Sequence, residues 1–155
     1  LDDIAWEKSR FMMATGYERN FVMQVLGSVT TFEGCDKEDL QLLADAVAGR
    51  SLIKAGDNLC TEGDDADRWW VVLEGQADVV VNGTSVGSIG TNEPVGELAL
   101  FDDQSRSTTV TATADLDVLI FLKANFVEVI RSSPALSLTL LKSAARRLRA
   151  TNQLV

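Results

Sequence analysis

The sequence predicts an α+β fold, in which an antiparallel β jelly roll or barrel is flanked by N-terminal helices and by two C-terminal helices. Apolar residues recur at helical spacing near both ends of the chain, whereas residues 51–122 form short β-prone runs. No helical crossover separates those runs, and this favours antiparallel pairing. The 155 residues fit one domain of ordinary size.

The N-terminal part of the chain is predicted to be helical. Residues 1–14 carry a loose helical pattern, which Gly16 interrupts. The next helix is indicated by apolar positions on one face: Phe21, Val22, Val25, Leu26 and Val29. Asp36 suits the N-cap of a further helix, whose buried stripe is predicted as Leu40, Leu43, Ala44 and Val47.

Turn signals that contain glycine divide residues 51–122 at steps of roughly 8–12 residues. Asn82-Gly83 lies between two β-prone runs, and this pair favours a type I′ hairpin because both central residues need a positive φ. Leu116 to Leu122 is mostly apolar, which predicts a buried strand.

Two helices are predicted after Leu122. The first ends near Ser133-Pro134 because proline disfavours a helical residue before it. The second runs to about Asn152 and carries an apolar stripe: Leu136, Leu140, Leu141, Ala144, Ala145 and Leu148. It also carries a basic run, for which a solvated surface is favoured over a contact face: Lys142, Arg146, Arg147 and Arg149.

Composition argues against several classes of function. The chain has no histidine, and Cys35 and Cys60 are far apart, which removes most zinc sites and every Ser-His or Cys-His catalytic arrangement. We therefore expect no catalytic residue, no metal site and two reduced thiols. The carboxylates around Asp64, Asp65 and Asp67 lack the order of an EF-hand and are predicted to form a solvated turn.

Charge and hydropathy limit the partners. A net charge of −9 argues against non-specific nucleic-acid binding by this part of the protein. No apolar run approaches the roughly 20 residues that span a bilayer, so we expect no membrane contact and a cytoplasmic location. Because the chain begins with Leu1 and not Met, it is predicted to be part of a longer protein that carries an effector domain.

The stretch from Gly96 to Thr109 is the candidate binding site. A glycine followed by Glu-Leu-Ala-Leu predicts a one-turn helix, whose free N–H groups and positive dipole end favour an anion. The planar, positively charged guanidinium of Arg106 would lie at the same place, and Glu97 would accept hydrogen bonds from ligand hydroxyls. Glu97 and Arg106 are equally able to form a plain structural ion pair.

Motifs in this stretch resemble the phosphate-binding cassette of the cyclic-nucleotide-binding domains of protein kinases, gated channels and bacterial regulators. The matching segments are residues 96–100, which read Gly-Glu-Leu-Ala-Leu, and residues 106–110, which read Arg-Ser-Thr-Thr-Val. Outside the cassette, the resemblance extends to a set of glycine-containing segments: residues 31–35, 55–57, 62–64, 71–75 and Gly90. It covers about residues 28–153. The predicted division is therefore a helical linker at 1–27 and a cyclic-nucleotide-binding domain at 28–155.

The resemblance implies a role for each matching residue. Glu97 would bind the ribose 2′-hydroxyl, Arg106 would pair with the cyclic phosphate, and Gly96 would allow the backbone to approach closely. Backbone N–H groups around Leu98, Ala99 and Ser107 would complete the cradle. The implied ligand-binding set is Gly96, Glu97, Leu98, Ala99, Arg106, Ser107 and Thr108. The ligand would be cAMP or cGMP, with no further cofactor.

The cassette departs from the family at two positions, since Val95 replaces the usual aromatic residue and Ser105 the usual proline. Ser107 follows the arginine. A hydroxyl there accompanies cGMP preference in eukaryotic kinases, but bacterial cAMP regulators also carry serine, and cAMP is favoured here. Arg146, Arg147, Arg149 or Leu148 would cover the base, and the sequence does not choose among them.

The predicted function is that of a non-enzymatic regulatory module that binds a cyclic nucleotide and relays binding through its C-terminal helix. Two alternatives remain open. One is the sensory half of a cAMP-responsive transcription factor, and the other is a jelly-roll interaction module that no longer binds nucleotide.

Overall fold

A computed structural model describes residues 16–152 of the chain. Its helices are α1 (Gly16–Gly27), α2 (Lys37–Asp45), α3 (Leu98–Asp102), α4 (Lys123–Ser132) and α5 (Pro134–Thr151), with a 3-10 turn at Thr30–Phe32. Its strands are β1 (Val47–Ile53), β2 (Asn58–Cys60), β3 (Arg68–Glu74), β4 (Ala77–Val81), β5 (Thr84–Ile89), β6 (Pro94–Val95), β7 (Thr109–Ala112) and β8 (Leu116–Leu122). The helix predicted within residues 1–14 lies outside the described residues.

The strands of the described region form two antiparallel sheets that face each other as a jelly roll. One sheet has the order β1-β8-β3-β6 and the other has the order β2-β7-β4-β5. The predicted antiparallel roll with flanking helices is confirmed, and the two sheets do not close into a barrel. Leu116–Leu122 forms β8 in the centre of its sheet, where it pairs with β1 and β3.

The Asn82-Gly83 hairpin is confirmed. Val81 pairs with Thr84 across the turn, and the two turn residues have φ angles of 51° and 78°. Both angles are positive, as a type I′ turn requires. Local sequence therefore determines where β4 reverses into β5.

Asp36 caps α2 as predicted. Its carboxylate accepts a hydrogen bond from the Asp39 backbone N–H at 2.9 Å, and the Asp39 carboxylate accepts one from the Asp36 N–H at 3.1 Å. The prediction that Val47 belongs to the stripe of this helix is wrong, because α2 ends at Asp45 and Val47 begins β1 opposite Phe121. A β-branched residue fits this strand position, where it is buried.

The sheet that contains β3 and β8 separates two hydrophobic cores. Trp69 and Phe121 face the helices, where their rings stack with centroids 4.4 Å apart. Trp70 and Ile120 face the interior of the roll. Because adjacent residues of a strand point to opposite faces, both faces of these strands are buried, which explains their nearly continuous apolar sequence.

Helix α1 shares the core on the helix side of the sheet. Val22 and Leu26 are fully buried there, next to α2. Phe21, which was predicted on the same apolar face, is 38% exposed and lies near the Arg50 guanidinium. The division of the chain between residues 27 and 28 stays a prediction.

Helix α5 begins with Pro134 after a Ser133 cap, whose hydroxyl accepts a hydrogen bond from the Leu136 N–H at 3.2 Å. Near its middle, the buried Ser143 hydroxyl donates to the Thr30 carbonyl at 3.1 Å. This bond ties the last helix to the 3-10 turn. No helix within residues 16–152 is long and apolar enough to cross a membrane, and both cysteines are free, as predicted.

Gly75 is expected to tolerate no side chain. It has a φ of 104°, and a Cβ there would collide with the Asp115 carbonyl oxygen and lie 2.9 Å from Leu116 Cδ2. Left-handed strain of about 1–2 kcal/mol and overpacking of about 1–3 kcal/mol predict that Gly75→Ala lowers the free energy of unfolding by about 3 kcal/mol. Urea unfolding measures this loss.

The matched control is Gly83→Ala, because Gly83 also has a positive φ but has no atom within 4 Å of the added Cβ. We expect the control to lose only the conformational part, about 1–2 kcal/mol. Equal losses at the two positions would show that the contact with Asp115 does not matter.

Candidate functional site

The candidate site begins where β6 ends. Val95 pairs with Trp70 of β3, and Gly96 then turns the chain into α3 with a φ of 81°. A Cβ on Gly96 would collide with Nη1 of Arg106 and lie 3.6 Å from Trp70 Cζ3. The position therefore needs glycine both for its backbone conformation and for the space that Arg106 occupies.

The guanidinium of Arg106 is held inside the roll. The side chain is only 5% exposed, and its Nη1 donates a hydrogen bond to the Gly96 carbonyl at 3.0 Å. Its Nη2 donates to the carbonyl of Arg68, and its Cζ lies over the ring of Trp70, 5.2 Å from the centroid. The Arg106 fork thus joins the start of α3 to strand β3.

The backbone of Arg106 is held as well. Its N–H donates to the Asp64 carbonyl at 2.8 Å, and its carbonyl accepts from the Gly63 N–H at 2.9 Å. These two bonds join the cassette loop to the loop between β2 and β3. The backbone of Arg106 is therefore fixed through both its N–H and its carbonyl, and this limits where its side chain can lie.

Arg106 has no ion-pair partner within 4 Å among residues 16–152. The alternative that Glu97 and Arg106 form a structural ion pair is therefore wrong. The Arg106 guanidinium donates instead to the backbone carbonyls of Gly96 and Arg68. A buried positive charge without an anion is costly, so this position favours an anionic ligand.

A cavity of about 740 Å³ opens next to Arg106 and Trp70. This volume is in the range of small-molecule sites, roughly 300–1,000 Å³. Four exposed carboxylates also line it, namely Asp57 and those of the predicted acidic turn, Asp64, Asp65 and Asp67. Since water and salt screen exposed charges much more than buried ones, Arg106 remains the charge that acts most strongly on a ligand inside the cavity.

Glu97 precedes α3 and is half-buried. Burial raises the pKa of its carboxyl group, while a hydrogen bond to its own backbone and the positive charge of Arg147 partly offset that rise. Glu97 is not among the residues that line the 740 Å³ cavity. The described conformation therefore brings Gly96 and Arg106 together but does not place Glu97 in the same cavity.

The other residues of the predicted set lie on both sides of this centre. Leu98 begins α3 and is 64% exposed, and Ala99 follows it in the helix. Ser107 is exposed directly after Arg106. Thr108 is half-buried, and its carbonyl accepts a hydrogen bond from Cys60 Sγ at 3.7 Å.

A second cavity, of about 430 Å³, separates α3 from α5. Its lining is mostly apolar and includes Leu98, Phe101, Leu141 and Arg147. Of the three arginines considered as covers for the base, Arg147 is the one that lines this groove, whereas Arg146 and Arg149 are exposed. The groove thus brings the last helix close to the short helix that follows Glu97.

Comparison with known proteins identifies the family. The family model described as the cyclic nucleotide-binding domain matches residues 50–133, which is more than half of the chain. The chain belongs to the cyclic nucleotide-binding domain family.

Relatives of this cyclic nucleotide-binding domain occur in several regulatory proteins. The N-terminal domain of a transcriptional regulator from Streptomyces coelicolor has 30% identity and a TM-score of 0.74, with 83% of this chain and 95% of that domain covered. A cAMP-dependent protein kinase regulatory subunit from Debaryomyces hansenii is 31% identical over 104 residues, 67% of this chain. A cyclic nucleotide-gated potassium channel from Rhizobium etli is 27% identical over 143 residues, 88% of this chain.

The cyclic nucleotide-binding domain spans only part of the longer relatives: 23% of the kinase subunit and 40% of the channel. The activities and partners of those whole proteins therefore do not transfer directly. Within the described residues, no group of three or more cysteine or acidic side chains is placed to hold a metal ion.

Sequence reasoning missed Trp70 and the carbonyl of Arg68. Trp69-Trp70 in a strand indicates that one indole faces each side, but the sequence does not show which one lies beneath Arg106. The Arg68 carbonyl has no sequence signal, because every residue carries one. Nor does the sequence show that Ser143 bonds to Thr30, 113 positions away.

Burial of Glu97 predicts a pH-dependent stability effect. Its folded-state pKa is raised above the ordinary value of 4.5, so its contribution to stability is full below pH 4.5 and is lost as pH rises through the folded-state pKa. We expect Glu97→Gln to raise the free energy of unfolding at pH 7, and the gain to shrink as pH falls to 4.5. Urea unfolding over this pH range measures both.

Glu128→Gln serves as the control, because it removes one charge from the exposed surface of α4. If the gain from Glu97→Gln did not change with pH, or matched that of the control, it would come from net charge and not from burial.

Proposed function

We propose that this domain binds a cyclic nucleotide, cAMP in preference to cGMP, and relays binding through α5 to an effector elsewhere in its parent protein. One observation carries the proposal: the buried guanidinium of Arg106 lines a cavity of ligand size without a carboxylate partner among the described residues. Family membership adds the class of ligand.

The roles of the site residues follow from their chemistry. Arg106 offers planar N–H donors, and the two carbonyl bonds leave three of its five for a phosphate. Glu97, ionised by binding-site contacts, would accept a hydrogen bond from the ribose 2′-hydroxyl. The first N–H groups of α3, around Leu98 and Ala99, and the N–H of Ser107 would complete the phosphate cradle.

Glu97 does not line the Arg106 cavity in the described conformation, so contacts from both residues to one ligand require a movement of the Glu97 side chain or of α3. The exposed apolar side chains of Leu98 and Phe101 already border the groove beside α5. We infer that binding draws α3 towards Arg106 and changes the packing in this groove. The ligand can shift this equilibrium only by binding the closed form more tightly.

Helix α5 is suited to carry the signal. Arg147 lies close enough to Glu97 to affect its pKa and also lines the groove, so it would cover the base or contact Glu97 as the helix closes. The hydrogen bond from Ser143 to Thr30 provides the point around which the helix would move. We infer a regulatory and non-enzymatic role, in the cytoplasm, with the effector on the same parent chain.

The proposed preference for cAMP concerns the base of the ligand. The relative from Debaryomyces hansenii is named as a cAMP-dependent kinase subunit. Ser107 is exposed, so its hydroxyl is available to a base. A single hydroxyl shifts discrimination by only about 1–3 kcal/mol, and we therefore expect both nucleotides to bind.

Calorimetric titration tests the ligand. We expect cAMP to bind more tightly than cGMP, and Arg106→Lys to weaken cAMP binding by roughly 10- to 100-fold, because lysine cannot reproduce the planar fork. The control is Arg131→Lys, the same change at an exposed position of α4. Failure of the wild-type protein to bind either nucleotide below millimolar concentration would contradict the proposal.

Hydrogen exchange tests the relay. We expect saturating cAMP to change amide protection in Leu98–Asp102 and in Pro134–Thr151, while the β4-β5 hairpin at Val81–Thr84 stays unchanged as an internal control. Leu98→Ala should keep the ligand but reduce the change in α5, because it removes the apolar contact across the groove. Bound cAMP with no change in α5 would rule out this relay.

A further inference from the structure

We propose that Trp70 positions Arg106 for the ligand, by serving as an aromatic platform that fixes the plane of the guanidinium. The inference rests on the proposed function, since it names a residue that acts through Arg106 at the same site. Trp70 need not touch the ligand in this role.

The ring of Trp70 lies against one face of the Arg106 guanidinium. Two backbone carbonyls hold the fork at its terminal nitrogens, one from Gly96 and one from Arg68. Those bonds act in the guanidinium plane, and they do not prevent rotation about the line that joins the two acceptors. The Trp70 ring lies under Cζ, with its centroid 5.2 Å away, and contributes a cation–π attraction. In the proposed role, the ring opposes that rotation.

Trp70 is itself well placed to act as a platform. It is 3% exposed, and its strand pairs with β6 on one side and β8 on the other. Its ring also approaches Gly96, where a Cβ would lie 3.6 Å from Cζ3. The platform, the glycine and the arginine are therefore packed as one unit at the edge of the 740 Å³ cavity.

The indole N–H of Trp70 is buried and has no hydrogen-bond partner among residues 16–152. The ring is thus held by packing and not by a polar contact. Replacement by phenylalanine consequently removes no hydrogen bond and keeps an aromatic face, whereas methionine keeps an apolar side chain and removes the face. These two substitutions separate the platform from simple filling of the core.

Calorimetric titration with cAMP tests the platform in folded variants, as checked by circular dichroism. We expect Trp70→Phe to bind within about threefold of wild type and Trp70→Met to bind about tenfold more weakly, since a buried cation–π contact is lost. Val72→Ala is the control, because Val72 is fully buried on the same face of β3 and does not line the cavity. It should lower stability and leave the affinity unchanged.

A double-mutant cycle distinguishes positioning from general loosening. If Trp70 acts through Arg106, Trp70→Met adds less than about twofold to the loss caused by Arg106→Lys. Additive losses, an unchanged affinity in Trp70→Met, or an equal loss in Val72→Ala would each overturn the proposal.

Nuclear magnetic resonance of the unmodified chain supplies a test that needs no variant and no ligand. A guanidinium over the indole face predicts an upfield ring-current shift of the Arg106 Nε–H proton. An unshifted Arg106 resonance overturns the platform even if cAMP binds. If the resonance is shifted but the chain binds no cyclic nucleotide, the stacking of Arg106 on Trp70 is supported. The proposed function and the positioning role are then both overturned.

Discussion

The arrangement of the site depends on one buried guanidinium. Arg106 comes from the loop before β7, yet it donates to the carbonyl of Gly96, directly after β6, and to that of Arg68, which begins β3. These contacts set the entry of α3, explain the need for glycine at position 96 and define one wall of the roll cavity. Since no carboxylate among residues 16–152 lies within 4 Å of the Arg106 guanidinium, this buried charge is suited to an anion.

The sheet of β1, β8, β3 and β6 links this charge to the helices. Trp70 lies under Arg106 inside the roll, while its neighbour Trp69 packs against Phe121 and Phe126 on the helix side. Phe126 in turn contacts Phe101 of α3, with ring centroids 5.8 Å apart. A displacement of α3 therefore acts on the same aromatic cluster that packs α4 against the sheet, and packed cores respond to such changes in discrete steps.

Two features of the site lower the stability of the folded domain. Partial burial of Glu97 disfavours its ionised form, and Arg106 is buried without an ion-pair partner among residues 16–152. Under the proposed function, a ligand hydroxyl that donates to the carboxylate and a ligand anion beside the guanidinium would reduce these two costs. Such costs are typical of binding sites, where groups are held ready for a partner that is absent from the folded chain itself.

Short-range signals in the sequence determined much of the fold. The Asn82-Gly83 turn, the Asp36 cap and the apolar run of β8 each depend on residues close together in the chain, and all three were predicted. The cassette motif likewise indicated the family. Val47 was misassigned because a stripe of apolar residues continues in phase from α2 into β1, and only pairing with β8 distinguishes strand from helix there. Tertiary structure alone decided that Arg106 bonds to carbonyls and not to Glu97, that Trp70 is the indole beneath it, and that Arg147 faces the groove. Those outcomes depend on contacts between residues far apart in the chain, such as Arg106 with Arg68 across 38 positions. The local sequence pattern does not specify which distant residue a side chain contacts.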